Sequence, residues 1–331
     1  MKFQNSEYQK NQNAMRKWET LEGWPEVKGY DFSQGLDFNR FIESLKHTGL
    51  QATQLGKAID IVNEMIAEKT FIFLSATSNM GSSGVRDIIR WLVQEKKIHC
   101  LVMSAGAVEE DVIKTLQPFV IGSYDAPGSV LLEKGVGRIG NIFAPFDRYL
   151  HFEDYMRPFF EEVYVKQKEQ GRPFTPSEFI KMLGEKVESE ESILHWAAKN
   201  DIPVFCPALV DGSIGDLWYF HRQQKKDFML DLIGDHEKII KLVLTQEKTG
   251  VILLGGGVSK HYVLNANIFK DGLDYAVYLT TAQEFDGSDS GGNQQEAMSW
   301  AKVNTQAKNV KVVSDATLTF PLLVAGSFAK Q

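Results

Sequence analysis

One unit recurs along this 331-residue chain: a short β-rich run, a loop of small residues, then apolar residues at helical spacing. Residues 70–76 read TFIFLSA, followed by TSNMGSSG and the helical pattern VRDIIRWLVQEKK; residues 99–104 lead through AGAVEED into another helix. The same alternation predicts strands over 203–209, 250–254, 275–281 and 310–314, with helices over 228–247 and up to about residue 270. Strands separated by helices pair in parallel, because the crossover returns the chain to the same edge. Six of them specify an α/β fold, a Rossmann-like, mainly parallel sheet with helices on both faces.

Ahead of the sheet, Phe41, Ile42 and Leu45, then Ile59, Ile61, Val62, Met65 and Ile66, recur at helical spacing around a break at Thr48 and Gly49. They predict paired helices, an N-terminal helical extension to the sheet. Residues 1–30 are polar, with Trp18, Trp24 and Pro25 among charges, and read as a separate arm before one domain over 31–331. Between the second and third strands, 128–142 is glycine-rich and reads as irregular, with a short strand within 138–145. Helical spacing resumes over 152–169 and 190–200, and Thr175-Pro-Ser-Glu178 is a helix start.

Composition narrows the partners. A formal charge of −7 argues against nucleic acid and favours a cationic substrate or basic partner. Cys100 and Cys206 lie in apolar runs and read as core thiols of a reducing compartment. No apolar run reaches membrane-spanning length and the start MKFQNSEYQKNQ has no apolar signal segment, so a cytoplasmic protein without membrane contact is expected. No His/Cys cluster has ligand spacing, so no metal is expected.

In an open parallel sheet, ligands bind beyond the carboxyl ends of the strands. The segments there, 77–84, 105–110, 211–216, 255–261, 281–289 and 315–316, nearly all combine small residues with a hydroxyl or a carboxylate. Glycines admit a ligand to the backbone, helix-start amides bind phosphate, and a carboxylate can take a ribose diol, so a dinucleotide is the natural candidate although G-x-G-x-x-G is absent. The stretch 280–302, TTAQEFDGSDSGGNQQEAMSWAK, adds Glu284, Asp286 and Asp289, the flat face of Trp300 and the amine of Lys302. Carboxylates and an indole suit a polycation, and a lysine in a dry cleft suits nucleophilic attack.

The segments TSNMGSSGVRDIIRWLV, SAGAVEEDVIKTL, NDIPVFCPALVDGSIGD, GVILLGGGVSKHYVLNANIFKDGLDYAVYLTTAQEFDGSDSG and EAMSWAK together resemble deoxyhypusine synthase, from about residue 31 to the C-terminus. The resemblance implies an NAD-dependent transferase that moves the aminobutyl group of spermidine, through an imine on an enzyme lysine, to one lysine of the translation factor 5A precursor. The nucleophile would be Lys302 in Ser299-Trp300-Ala301-Lys302, where the family's motif has glycine at 301. His261 would accept a proton. Spermidine would meet Glu109, Glu110, Asp216, His261, Gly287, Ser288, Asp289, Glu296, Trp300 and Lys302.

The NAD site would comprise Ser78, Asn79, Met80, Gly81, Ser82, Ser104, Ala105, Gly106, Glu110, Asp211, Gly256, Thr281, Ala282, Asp315 and Ala316. Members of the family are homotetramers with sites at a dimer interface, and the same is expected here. Homospermidine synthase, which delivers the same group to putrescine, has nearly identical site residues and stays open as the alternative acceptor chemistry.

Overall fold

A computed structural model describes residues 21–329. Of the arm expected over 1–30, residues 1–20 lie outside the described residues; in the remainder Leu21, Trp24 and Val27 are exposed. Two helices follow, α1 (Phe38–Thr48), capped by Asp37, and α2 (Leu50–Ala67), divided at Gly49 with φ +93°. They are the paired helices the sequence predicts.

The chain continues through β1 (Phe71–Ala76), α3 (Ser78–Ser82), α4 (Val85–Gln94), β2 (Cys100–Met103) and α5 (Ala105–Leu116). A small antiparallel excursion comes next: β3 (Val120–Ile121), α6 (Gly128–Glu133), β4 (Val136–Ile139) and β5 (Ile142–Pro145), with β5 central. Then come α7 (Phe146–Gln170), α8 (Pro176–Lys186), α9 (Ile193–Lys199), β6 (Val204–Phe205), α10 (Ser213–Arg222) and α11 (Leu232–Leu244). The last part runs β7 (Thr249–Leu254), α12 (Gly257–Ala266), β8 (Leu273–Thr280), α13 (Gln294–Ser299), β9 (Val303–Val313) and α14 (Ala316–Gly326). Thr175 and Glu178 form the capping box expected at the start of α8.

The main sheet runs β6-β2-β1-β7-β8-β9, every pair parallel. The chain steps outward from β1 to β2 to β6, then returns to place β7 on the other side of β1. That reversal between β1 and β7 is the topological switch point, where the flanking loops diverge and leave a crevice. Alternate strand residues feed two cores. Ile72, Leu74, Ile252, Leu254, Val277 and Leu279 join the core beneath α2, α4, α5 and α14, while Phe73, Val251, Leu253, Ala276 and Tyr278 join the one beneath α11 and α12. Both faces are therefore covered, which is why the strands read as continuous apolar runs.

The structure departs from the sequence reading in four places. Residues 128–142 hold α6 and β4, with the short strand expected within 138–145 split between β4 and β5 around a tight turn. α10 occupies a segment read as loop. The strand expected over 203–209 is only Val204–Phe205. β9 starts seven residues before the predicted 310.

Candidate active site

Two groups of side chains flank the switch point. On the β1–β2 side, Ser78 and Ser104 share a hydrogen bond between hydroxyls at 2.9 Å. The glycines here answer mainly to the protein: a Cβ on Gly106 would lie 2.7 Å from the Ser78 side chain, and one on Gly81 would lie 2.8 Å from the Ala107 backbone. They let α3 and α5 close on each other. The first amides of α5 and α12 have no side-chain cap, whereas those of α10 are met by Glu109, whose carboxylate accepts from Ile214 N at 3.0 Å. Glu109, expected at the substrate, is thus already engaged by the protein.

Glu110 is 5% exposed and accepts a hydrogen bond from Ser82 Oγ. Burial pushes its carboxyl up to about 7; Glu109 adds to the shift, and the Ser82 bond and Lys114 oppose it. The folded protein therefore retains a proton that the unfolded chain sheds above about 4.5. Its contribution is fully present below that value and is lost as pH rises through about 7. A shift of this size corresponds to at most ~3 kcal/mol. Urea unfolding across that window is expected to show wild type losing stability relative to Glu110→Gln as pH rises; parallel curves would refute the assignment.

On the β7–β9 side, Lys302 Nζ lies 3.0 Å from His261 Nε2. The two arrive by opposite routes. α12 leaves the carboxyl end of β7 and carries His261 back along the sheet, while Lys302 stands at the amino end of β9, its backbone held by Lys302 N to Ala297 O at 2.9 Å and Leu273 N to Lys302 O at 3.1 Å. The lysine is thus reached along a sheet face, not at a strand's carboxyl end. Among the described residues no carboxylate forms an ion pair with it. Trp300 beside it is 66% exposed, its indole free to meet a ligand.

The acidic loop is fastened from below by a residue the sequence did not single out. Lys260 is 3% exposed, donates to Gly292 O at 3.0 Å and to the carbonyl of Asp289, and lies 4.0 Å from Asp289 Oδ2. Burial lowers its ammonium's affinity for the proton, with Asp289 opposing. Among the described residues, Asp289 Oδ2 and the hydroxyl of Tyr278 are buried without a hydrogen-bond partner. Nothing local to GGGVSKH reveals this lysine, because its partners lie about thirty residues away. Gly256 packs on Ser290 of the same loop, where a Cβ would lie 2.6 Å from Ser290 Cα.

Of the other expected residues, Asp315 caps α14 through Thr317 N at 2.7 Å, Ala282 N donates to Thr280 Oγ1 at 3.1 Å, and Asn79, Asp211, Asp216, Thr281, Gly287, Ser288 and Glu296 are exposed. Met80, within α3, and Ala316, the first residue of α14, are buried. The two groups meet across the β1–β7 pair, where Gly255, at φ +83°, lies against Thr77.

Ala301 has φ +56°. An L-residue there costs about 1–2 kcal/mol, of which glycine's larger unfolded-state entropy would return ~0.5–1 kcal/mol. Ala301→Gly is therefore expected to raise the melting temperature by about 1–2 °C. A lower melting temperature would mean that the methyl group contributes packing that outweighs the strain.

A family model for deoxyhypusine synthase matches residues 40–327. The deoxyhypusine synthase of Musa acuminata is 44% identical over 318 residues, spanning 88% of this chain and 84% of its own. That of Arabidopsis thaliana is 45% identical over 317 residues, spanning 88% and 86%. An Entamoeba histolytica crystal structure assigned by name to the same family superposes with a TM-score of 0.69 at 32% identity, covering 92% of this chain and 97% of that one. This chain is a member of the deoxyhypusine synthase family, and hence a transferase.

Proposed function

We propose that the enzyme transfers the aminobutyl group of spermidine to one lysine of the translation factor 5A precursor, with NAD as bound cofactor and Lys302 as the carrier. The observation that carries this reading is the Lys302–His261 contact, an amine facing an imidazole with no carboxylate bridged to it, beside an exposed indole and an acidic loop. Residues 31–331 would act as one catalytic domain in the cytoplasm, with 1–30 as an extension.

The residues present fit NAD. The uncapped starts of α5 and α12 offer amides to a pyrophosphate, the Ser78–Ser104 pair adds hydroxyls, and Asp211 and Asp315 are exposed carboxylates suited to ribose diols. Bound NAD would supply the acceptor for a hydride from a spermidine amine and return that hydride at the end, leaving no net redox change.

The chain's own residues do the rest. Asp216, Asp289 and Glu296 hold the ammonium ends of the polyamine, and Trp300 offers its face. His261 takes the proton from Lys302 through Nε2. The freed amine attacks the imine carbon of oxidised spermidine; the new C–N bond forms as 1,3-diaminopropane departs with the electrons of the old one and a proton. The acceptor lysine then displaces Lys302 by the same exchange. Exposed Phe285, Tyr219 and Phe220, on or beside segments that carry site residues, support a homotetramer in which a partner covers this region.

Incubation with NAD, spermidine and either the 5A precursor or putrescine tests the acceptor. Deoxyhypusine on the precursor is the expected product. Homospermidine alone would replace this reading by the putrescine one.

A further inference from the structure

At the amino end of β1, opposite the end that carries Ser78, lies a cavity of about 460 Å³ with an apolar floor of Met65, Ile72 and Phe328. Its rim carries Lys69, Lys96 and Lys97, and among the described residues no carboxylate lines it. Among the described residues none of these three ammonium groups forms an ion pair with a carboxylate. Thr70, also in the lining, is 1% exposed, and among the described residues its buried hydroxyl has no hydrogen-bond partner. Leaving a buried hydroxyl unpaired is costly, and a ligand that accepts its proton removes that cost.

Lysines near helix ends ordinarily serve the carbonyls there. Here backbone amides already do so. α2 ends with Thr70 N on Met65 O at 2.9 Å and Lys69 N on Ile66 O at 3.2 Å, and α4 ends with Lys97 N on Leu92 O at 2.8 Å and Lys96 N on Val93 O at 3.2 Å. Lys69 and Lys96 occupy matching positions in these two turns, at φ +55° and +52°, where glycine would be the less strained residue. Two helix ends thus each hold a strained lysine at one cavity. His99, also in the lining, accepts from Ile72 N through Nδ1 at 3.0 Å, so its Nε2 carries the proton and is a further donor.

We infer that this cavity is a binding site for an anion with an apolar body, a medium-chain carboxylate. The carboxylate meets the lysines and the Thr70 hydroxyl, and the chain lies on Met65, Ile72 and Phe328. The inference is independent of the transferase reading, because it uses no residue of that site.

Sodium octanoate is the probe, with octylamine as the matched cation, and binding to the full chain is read by titration calorimetry. Octanoate is expected to bind and octylamine not. Lys69→Glu and Lys96→Glu should each weaken octanoate by about tenfold or more, the effect of one lost charge-assisted hydrogen bond. Thr70→Val should weaken it too while raising the melting temperature of the free protein, since it removes the unpaired hydroxyl. No octanoate binding, equal binding of octylamine, or octanoate binding unchanged in all three variants would overturn the inference.

Discussion

Replacing Lys302 by arginine is expected to abolish deoxyhypusine formation, with a fall of roughly 10³-fold or more, the scale of deleting a covalent nucleophile while the rest of the site stays in place. Arginine keeps the charge and length, so binding of the cationic substrate should change little. It cannot shed its proton to His261 and so cannot attack. In the proposed mechanism spermidine is oxidised before this amine acts, so the imine should still form, and water attacking its carbon in place of Lys302 should release 1,3-diaminopropane at a reduced rate. Cyanoborohydride trapping with NAD and spermidine should place an aminobutyl group on Lys302 in wild type and on no residue in the variant. Full product formation by Lys302→Arg, or trapping at another lysine, would remove Lys302 from the carrier role.

The parallel sheet was legible because its central strands are buried on both faces: TFIFLSA and GVILL can scarcely be anything else. β9 was only half legible because it is an edge strand whose first half, Val303 to Asn309, is largely polar and pairs with β8 only across a register shift. α10 was hidden because it opens with Gly212-Ser213-Ile214-Gly215, a loop-like string whose amides are stabilised by Glu109 from another helix. The site residues were nameable from their motifs, but their spatial relation was not. Lys302 and His261 are 41 positions apart and meet only because α12 runs back along the sheet.

Glu109, Glu110 and Asp111 show the same limit. The run read as acids opening a helix, but successive helical residues point about 100° apart. Glu109 goes to α10, Glu110 to Ser82 and Asp111 to Arg86.

The third of these acids supports the largest expected stability effect. Asp111 is fully buried and accepts from Arg86 Nε at 2.8 Å, Ser192 Oγ at 2.6 Å, Ile193 N at 2.9 Å and Leu194 N at 3.0 Å. One carboxylate therefore ties α4, α5 and the start of α9 together. Asp111→Ala leaves the guanidinium of Arg86, itself 3% exposed, with only the more distant Asp87 at 3.6 Å and the backbone carbonyl of residue 111, and leaves two helix-start amides unpaired. Breaking a buried pair in this way costs about 3–5 kcal/mol, which for a chain of this size lowers the melting temperature by roughly 4–7 °C. The double variant Arg86→Met/Asp111→Leu should recover much of the loss, because removing both charges also removes their desolvation cost. An Asp111→Ala protein within about 1 kcal/mol of wild type would show that water reaches Arg86 and that the three helices are held by their apolar contacts alone.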